Sequence, residues 1–459
     1  MLYYNGELKA CLQSRELVDM FTYCYRLLPV FLLSALFDDN LKSVATKFPL
    51  IYFYHLDNHS CKGGLPSYLE YALNQAADIQ SENFDIYLIS SFSRCLRLGK
   101  AAIDRNLNLR DVIKKVDGDK LRSKRTQHFL MKSHRLFAMN HGLWKSSALR
   151  FFVVEDFMIK FNFTQGILVE SDNMIYVPLA HQVLPHLQHG YPQLAATALS
   201  RDFVTASVFW IGNLPALHNL NQFFDDLAWN TTNSSSLLSP SLFSPRYILT
   251  DYISHLYQTG QTKNGSGMFC NFKKEGLCIK PFSVNEMSML AFYHLQNASL
   301  LQFLPMIPRN LPTDRNYEPF LFSKYIDDSK TDKAVGESMG RSGVFDSGSY
   351  GQYLGGTFKY HGRDEKTIDR THIIGDSMVR AGCFPMFICN NGTSTVGNSN
   401  DDDGNSSDSN ENIVPKKCRM NPFVKCRGQY VYTPIINIHV HSKHTRSFVD
   451  SECNCSEIR

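Results

Sequence analysis

Long apolar runs are missing from this 459-residue chain. The longest uncharged one, LLPVFLLSALF at 27–37, falls well short of the roughly 20 residues a membrane-spanning helix needs. Glu7, Glu16 and Asp19 stand before it, where a signal peptide carries basic residues. It reads as a core helix within an N-terminal segment, 1–45, so membrane association would need an anchor not evident in the chain. An excess of one charge is missing too: 47 Lys and Arg stand against 43 Asp and Glu, a net of +4, too small by itself for a nucleic-acid or membrane footprint. The twelve cysteines fit neither a dense disulfide scaffold nor a zinc site. Cys383, Cys389, Cys418 and Cys426 do cluster, as do Cys453 and Cys455, and these C-terminal cysteines could be bonded in an oxidising compartment. No internal repeat is present.

What is there is enough apolar sequence, 43% with 12% aromatic, for one large α/β core with insertions. Charge separates locally. KKVDGDKLRSKR at 114–125 is basic and NSNDDDGNSSDSNEN at 398–412 is acidic, and both read as solvated loops. Nine Asn-x-Ser/Thr sequons (Asn58, Asn162, Asn230, Asn233, Asn264, Asn297, Asn391, Asn405 and Asn454) point to the secretory pathway or Golgi lumen, with the cytoplasm as the alternative.

Short buried strands are expected at 48–55 and 84–91, with a helix between them whose apolar side repeats at Leu65, Tyr68, Leu69, Ala72, Leu73 and Ala76. This is a β-α-β unit. A helix over 148–161 is apolar around most of its circumference and should be deeply packed, and a right-handed crossover then lays GILVE, 166–170, parallel to the first strands. Further strands are expected at 203–211 and across QYVYTPIINIHVHSKH at 429–444, and helices at 214–229 and 285–296, the last with Asn285 as N-cap. The fold class is α/β, a mostly parallel central sheet with helices on both faces over 46–360. A loop insertion spans 361–429, and a C-terminal strand over 430–459 returns to close the site.

Strands without polar alternation are buried on both faces, and ligands of such sheets gather at their carboxyl ends. GILVE ends on Glu170, Ser171, Asp172 and Asn173, two carboxylates spaced to hold a divalent ion. Three other groups stand out: Asn285 with Glu286, FDSGSYGQYLGG at 345–356, and INIHVHSK at 436–443. Taken in order, these resemble the GT-A-fold glycosyltransferases, whose strand-terminal D-x-D binds Mn²⁺ or Mg²⁺ and the donor diphosphate. Here E-S-D-N puts Glu170 where the first Asp belongs. The resemblance implies transfer of a sugar from a nucleotide-sugar donor to a glycan, protein or lipid acceptor. It implies a metal on Asp172, with His439 or His441 completing the ligands and Lys443 on the phosphates.

Leaving-group chemistry explains those residue types, because a divalent ion and Lys443 would offset charge developing on the departing diphosphate. Oxygen ligands with an imidazole suit Mn²⁺. Glu170, Asp172, Asn173, Asn213 (just beyond the 203–211 strand), Gly351 and Gln352 are candidate donor contacts, the glycines letting backbone approach a sugar. Asp346 could bond donor hydroxyls or act as the acceptor's base, a role for which Glu286 competes. Two rivals are weaker. A barrel hydrolase using H-x-H fails because only eighteen residues follow His441, and a nucleic-acid binder fails because the basic run lacks interleaved aromatics. A sugar- or nucleotide-binding member of the same fold without catalysis is the alternative.

Overall fold

The computed structural model of the chain describes residues 47–54, 66–91, 108–133, 143–200, 202–233, 251–252, 255–256, 262–264, 277–279, 284–308, 343–355, 368–391, 418–427, 432–440 and 448. The expected N-terminal helical segment, the acidic tract, His441 and Lys443 lie outside them. Among the described residues, no helix is long and apolar enough to cross a membrane.

Aromatic and β-branched residues in FPLIYFY make β1 (Phe48–Tyr54), in which Leu50, Ile51 and Tyr52 are buried. Helix α1 (Ser67–Gln80) packs Leu69, Ala72, Leu73 and Ala76 inward and returns the chain to β2 (Phe84–Ser90), parallel to β1 with Phe48 opposite Phe84. Next come β3 (Ile113–Asp117), α2 (Lys124–Lys132) and α3 (Leu143–Lys160). Then follow β4 (Gly166–Glu170), β5 (Asn173–Ile175), α4 (Leu184–Gly190), β6 (Leu194–Ser200), β7 (Phe203–Ile211) and α5 (Leu214–Asn233). A two-stranded ladder, β8 (Thr262–Asn264) with β9 (Leu277–Ile279), precedes α6 (Glu286–Gln296) and β10 (Leu301–Phe303). The C-terminal part holds α7 (Ser349–Gly355), α8 (Ile373–Ala381), β11 (Phe384–Asn391), β12 (Cys418–Lys425), β13 (Thr433–Pro434) and β14 (Asn437–His439).

Seven strands form one sheet in the order β10-β6-β7-β4-β1-β2-β3. Pairing is parallel throughout except at β7, which runs against both β4 and β6. After β1 the chain adds β2 and β3 on one side and then crosses to put β4 on the other. The connections therefore diverge between β1 and β4, and the crevice outside their carboxyl ends is where such sheets bind ligands.

Three expectations need correcting. The basic run is not a loop: Lys114 and Lys115 lie in the outermost strand β3, Lys114 pairs with Asp85 at 2.8 Å, and α2 starts on Ser123, whose Oγ accepts from Thr126 N. Lysines on an edge strand discourage further strand pairing. The stretch read as a loop insertion contains α8 and the antiparallel pair β11–β12, closed by a Cys383–Cys426 disulfide. The single C-terminal strand is instead two short pieces, β13 on β12 and β14 on β5, with Ile435 bridging Val344 between them.

One buried carboxylate ties α7 to β14. Asp346, with no exposed surface, precedes α7. Its Oδ1 accepts from Gly348 N (2.8 Å) and Tyr350 N (3.0 Å), and its Oδ2 from Gly351 N (2.9 Å) and His439 N (3.0 Å). The turn is made by Gly348 at φ 126°, a conformation that favours glycine. A Cβ on Gly351 would overlap the carbonyl oxygen of His439, so the close approach here is of α7 to β14. Asn437 completes the junction, accepting from Asp346 N and donating to Asp346 O, both at 3.1 Å.

Asp346→Asn would turn an amide donor toward two backbone N–H groups. It should cost about 3–5 kcal/mol, read as a fall in the urea midpoint without a change in slope. A loss under about 1 kcal/mol would show that the carboxylate does not hold α7 to β14.

Candidate functional site

Glu170 is the last residue of β4, and Asp172 sits in the two-residue turn before β5. Because β14 pairs antiparallel with β5, setting His439 opposite Asn173, the imidazole arrives beside both carboxylates. His439 Nε2 lies 3.4 Å from Glu170 Oε2 and 3.4 Å from Asp172 Oδ1. One ligand atom from each of the three residues fits within 4.8 Å of the others. Val440 N donates to Asp172 O at 2.9 Å, fixing the turn against the incoming strand.

Behind this trio stands a cation that sequence reasoning missed. Arg150, buried on α3, puts NH1 2.6 Å from Glu170 Oε1 and NH2 3.2 Å from Glu286 Oε1. Glu286 opens α6, whose N-terminus is closed by a capping box between Asn285 and Ser288, so Asn285 is a helix cap. An arginine between Leu149 and Phe151, flanked by apolar residues on the packed part of the helix, was the available signal, since a buried guanidinium demands carboxylate partners.

Burial opposes charge on His439, Glu286, Arg150 and Tyr68, and charged neighbours reverse its effect at His439 and Arg150. For His439 burial pulls the pKa down, yet Asp172 and then Glu170 overcome it and lift the imidazole to about 9. Burial raises Glu286 to about 7, with Arg150 pulling against it and Glu170 adding to it. Arg150 is held above its ordinary value by Glu170 and Glu286 despite its burial. Tyr68 on α1 reaches toward Ser171 and Tyr54, and burial, then Asp172, raises it to about 12.

Among the other residues proposed from sequence, the geometry is less kind. Asn173 is fully buried, and its Oδ1 accepts from Asn437 Nδ2 at 2.6 Å, which makes it a strut of the β5–β14 pair. Asp346 has both oxygens filled by backbone N–H groups and no lone pair left to take a proton, so the base role does not suit it. Gly351 approaches the protein's own strand, and Gln352, half-buried on α7, donates its N–H to Gly348 O. Glu286 faces Arg150 in the interior at 2% exposure. Asn213 falls at the wrong edge: β7 is antiparallel, Ile211 pairs with Gly166 at the start of β4, and Asn213 caps α5 through Ala216 N. The cluster that remains is Glu170, Asp172 and His439 over Arg150 and Glu286, two carboxylates and an imidazole able to hold a hard divalent cation.

The folded state keeps a proton on Glu286 where the unfolded chain has released it. Folding stability from this group therefore falls as pH rises from about 4.5 toward about 7. Glu286→Gln should remove that slope in chelator-treated protein, so the stability difference between variant and wild type moves in the variant's favour between those pH values. Parallel urea-stability profiles would contradict a protonated Glu286.

No protein-family model and no curated protein matches the chain. Solved structures similar to it include mouse xyloside xylosyltransferase 1 in its apo form, with 8% identity and a TM-score of 0.33 over 57% of this chain and 86% of that one. PaToxG glycosyltransferase gives 9% and 0.27 over 47% and 70%, and GlyE, a glycosyltransferase of Streptococcus pneumoniae TIGR4, gives 15% and 0.22 over 45% and 43%. At these values the fold description rests on the strand order of this chain itself.

Proposed function

We propose that the chain is a metal-assisted glycosyltransferase that moves a sugar from a nucleoside-diphosphate donor to a glycan, protein or lipid acceptor. The observation that carries this reading is the convergence of Glu170, Asp172 and His439 at the carboxyl end of β4, beside the β1–β4 switch point. The donor set fits Mn²⁺ or Mg²⁺, with the imidazole favouring Mn²⁺. Carboxylates of Glu170, Asp172 and Glu286 face the cations Arg150 and His439, so the cluster alone offers a diphosphate no net positive charge. A bound divalent ion would supply that charge and stabilise the leaving diphosphate.

The chain's own residues divide the remaining work. Asp172 and His439 are the proposed ligands, Glu170 shares the site while held by Arg150, and Glu286 acts through Arg150 as a positioning residue. Asp346 positions His439 by binding its backbone N–H. Lys443 lies four residues beyond His439 and remains the proposed phosphate contact. A secretory-lumen location, with no nucleic-acid partner, belongs to the same reading and is supported by the Cys383–Cys426 disulfide.

A second reading has one observation in its favour: Glu170 Oε1 is already committed to Arg150 at 2.6 Å. A binding protein of the same fold, without turnover, would have that arrangement. Screening nucleotide sugars for released nucleoside diphosphate, with and without Mn²⁺, separates the two. The transferase reading expects Mn²⁺-dependent release that Asp172→Asn lowers by about 100-fold or more, with the fold unchanged; full activity in that variant would end it.

Metal binding carries its own pH signature. Ligation needs neutral imidazole, and His439 is held near about 9, so at pH 7 about one proton should leave per Mn²⁺ bound. Affinity should climb as pH rises toward about 9. Calorimetric titration in buffers of differing ionisation heat measures the proton count, and a pH-independent affinity would exclude His439 from the ligand set.

A further inference from the structure

We infer that Asn162 is an N-glycan acceptor, placed by the fold on the sheet edge opposite the candidate metal cluster. The chain carries nine Asn-x-Ser/Thr sequons, and the side chains of two of those asparagines, Asn162 and Asn297, are among the described residues. They differ in what the fold does to them. Asn297 is half-buried at the end of α6, with Nδ2 3.4 Å from Tyr293 O. Asn162 is exposed, as is Thr164 of its Asn-Phe-Thr sequon.

The turn that presents Asn162 is built from local rules. Helix α3 ends with Asn162 at φ 57°, a left-handed position that asparagine tolerates better than other side chains. Phe163 N then bonds back to Met158 O at 2.9 Å, and the Phe163 ring packs 5.7 Å from that of Phe157, the bond and apolar contact of a Schellman closure. The backbone is fixed while the amide points to water. Just before Asn162, Ile159 is 59% exposed, and Phe161, packed on one side against Phe157 and Phe163, is 41% exposed. The apolar face of a sugar attached one residue away would cover it.

Position makes the modification compatible with an open site. Asn162 precedes Gly166 at the amino end of β4, and Glu170 ends it, about 13 Å away along the strand. A glycan at Asn162 therefore extends away from the carboxyl edge. The Cys383–Cys426 disulfide is an independent indication that the chain matures in an oxidising compartment. In the transfer, a bond forms from Asn162 Nδ2 to the anomeric carbon of an oligosaccharide. The bond from that carbon to a lipid diphosphate breaks, the diphosphate leaves with the electron pair, and the amide releases one proton. The partner is thus a sequon-reading, membrane-bound transferase supplied with a lipid-diphosphate-linked oligosaccharide.

The test is peptide mapping of the full chain purified from the cells that make it, with and without enzymatic deglycosylation in heavy-oxygen water. The Asn162 peptide should appear only after deglycosylation, as aspartate carrying the heavy label. Thr164→Ala keeps the Asn162 turn while removing the sequon, and should migrate faster than wild type by one glycan, a difference that deglycosylation abolishes. Recovery of unmodified Asn162, or equal migration of Thr164→Ala and wild type before deglycosylation, would overturn the assignment whatever reaction the metal cluster performs.

Discussion

The junction of α7 with β14 depends on one buried carboxylate. Asp346 accepts four backbone N–H groups, three from its own turn and α7 and one from His439 on β14. An ionised oxygen pair is a stronger acceptor than a carbonyl, and in a fully buried position those N–H groups have no water to turn to. The bond to His439 N joins residues 93 apart in sequence, and it is what brings a C-terminal histidine to the end of β4. Gly351 is the matching constraint on the other side, since α7 can lie against the His439 carbonyl only where no Cβ intervenes. Asn437 and Asn173 extend the same junction to β5, so the turn holding Asp172 is braced from both flanks.

That bracing matters because the charges it assembles do not favour one another. Glu170, Asp172 and Glu286 are concentrated beside Arg150 and the imidazole, the cations that face them among the described residues, in a region where each ion has lost water. Two of the groups respond by holding protons: burial raises Glu286 to about 7, and the carboxylates raise His439 to about 9. A site that keeps an extra proton at neutral pH is one in which a better cation can displace it. Desolvation makes the cluster costly, and a rigid support is the condition for that cost to be sustained.

How much of this was legible in sequence depends on whether the signal was local. The end of β4 was legible because an unbroken apolar run stopping at Glu-Ser-Asp-Asn has few explanations other than a buried strand meeting a site. His439 was legible through H-x-H in an apolar stretch. Asp346 was found as a residue but misread in role, because an inward, saturated carboxylate and an outward, reactive one look alike in a string of letters. Its spacing to Gly348 and Tyr350 was the clue to a turn-forming acceptor. Arg150 was not legible as part of the site because its carboxylate partners, Glu170 and Glu286, come from elements distant in sequence.

The largest error had a geometric origin. Strand sequences carry no direction, and with LAATALS at 194–200 unrecognised, β7 had no visible partner. Only two residues separate β6 from β7, a link too short for a parallel crossover and long enough only for an antiparallel return. Once β7 is reversed, the residues at its two ends exchange edges of the sheet. Asn213 leaves the ligand edge and becomes a cap on α5, and the amino end of β4 gathers the polar turns around Asn162 and Gly212. The carboxyl edge keeps Tyr54, Glu170 and Asp172 at the β1–β4 crevice, with β14 brought in from the far end of the chain. Direction, set by a two-residue link, therefore decides which polar residues can share a ligand and which can only face solvent on the opposite side.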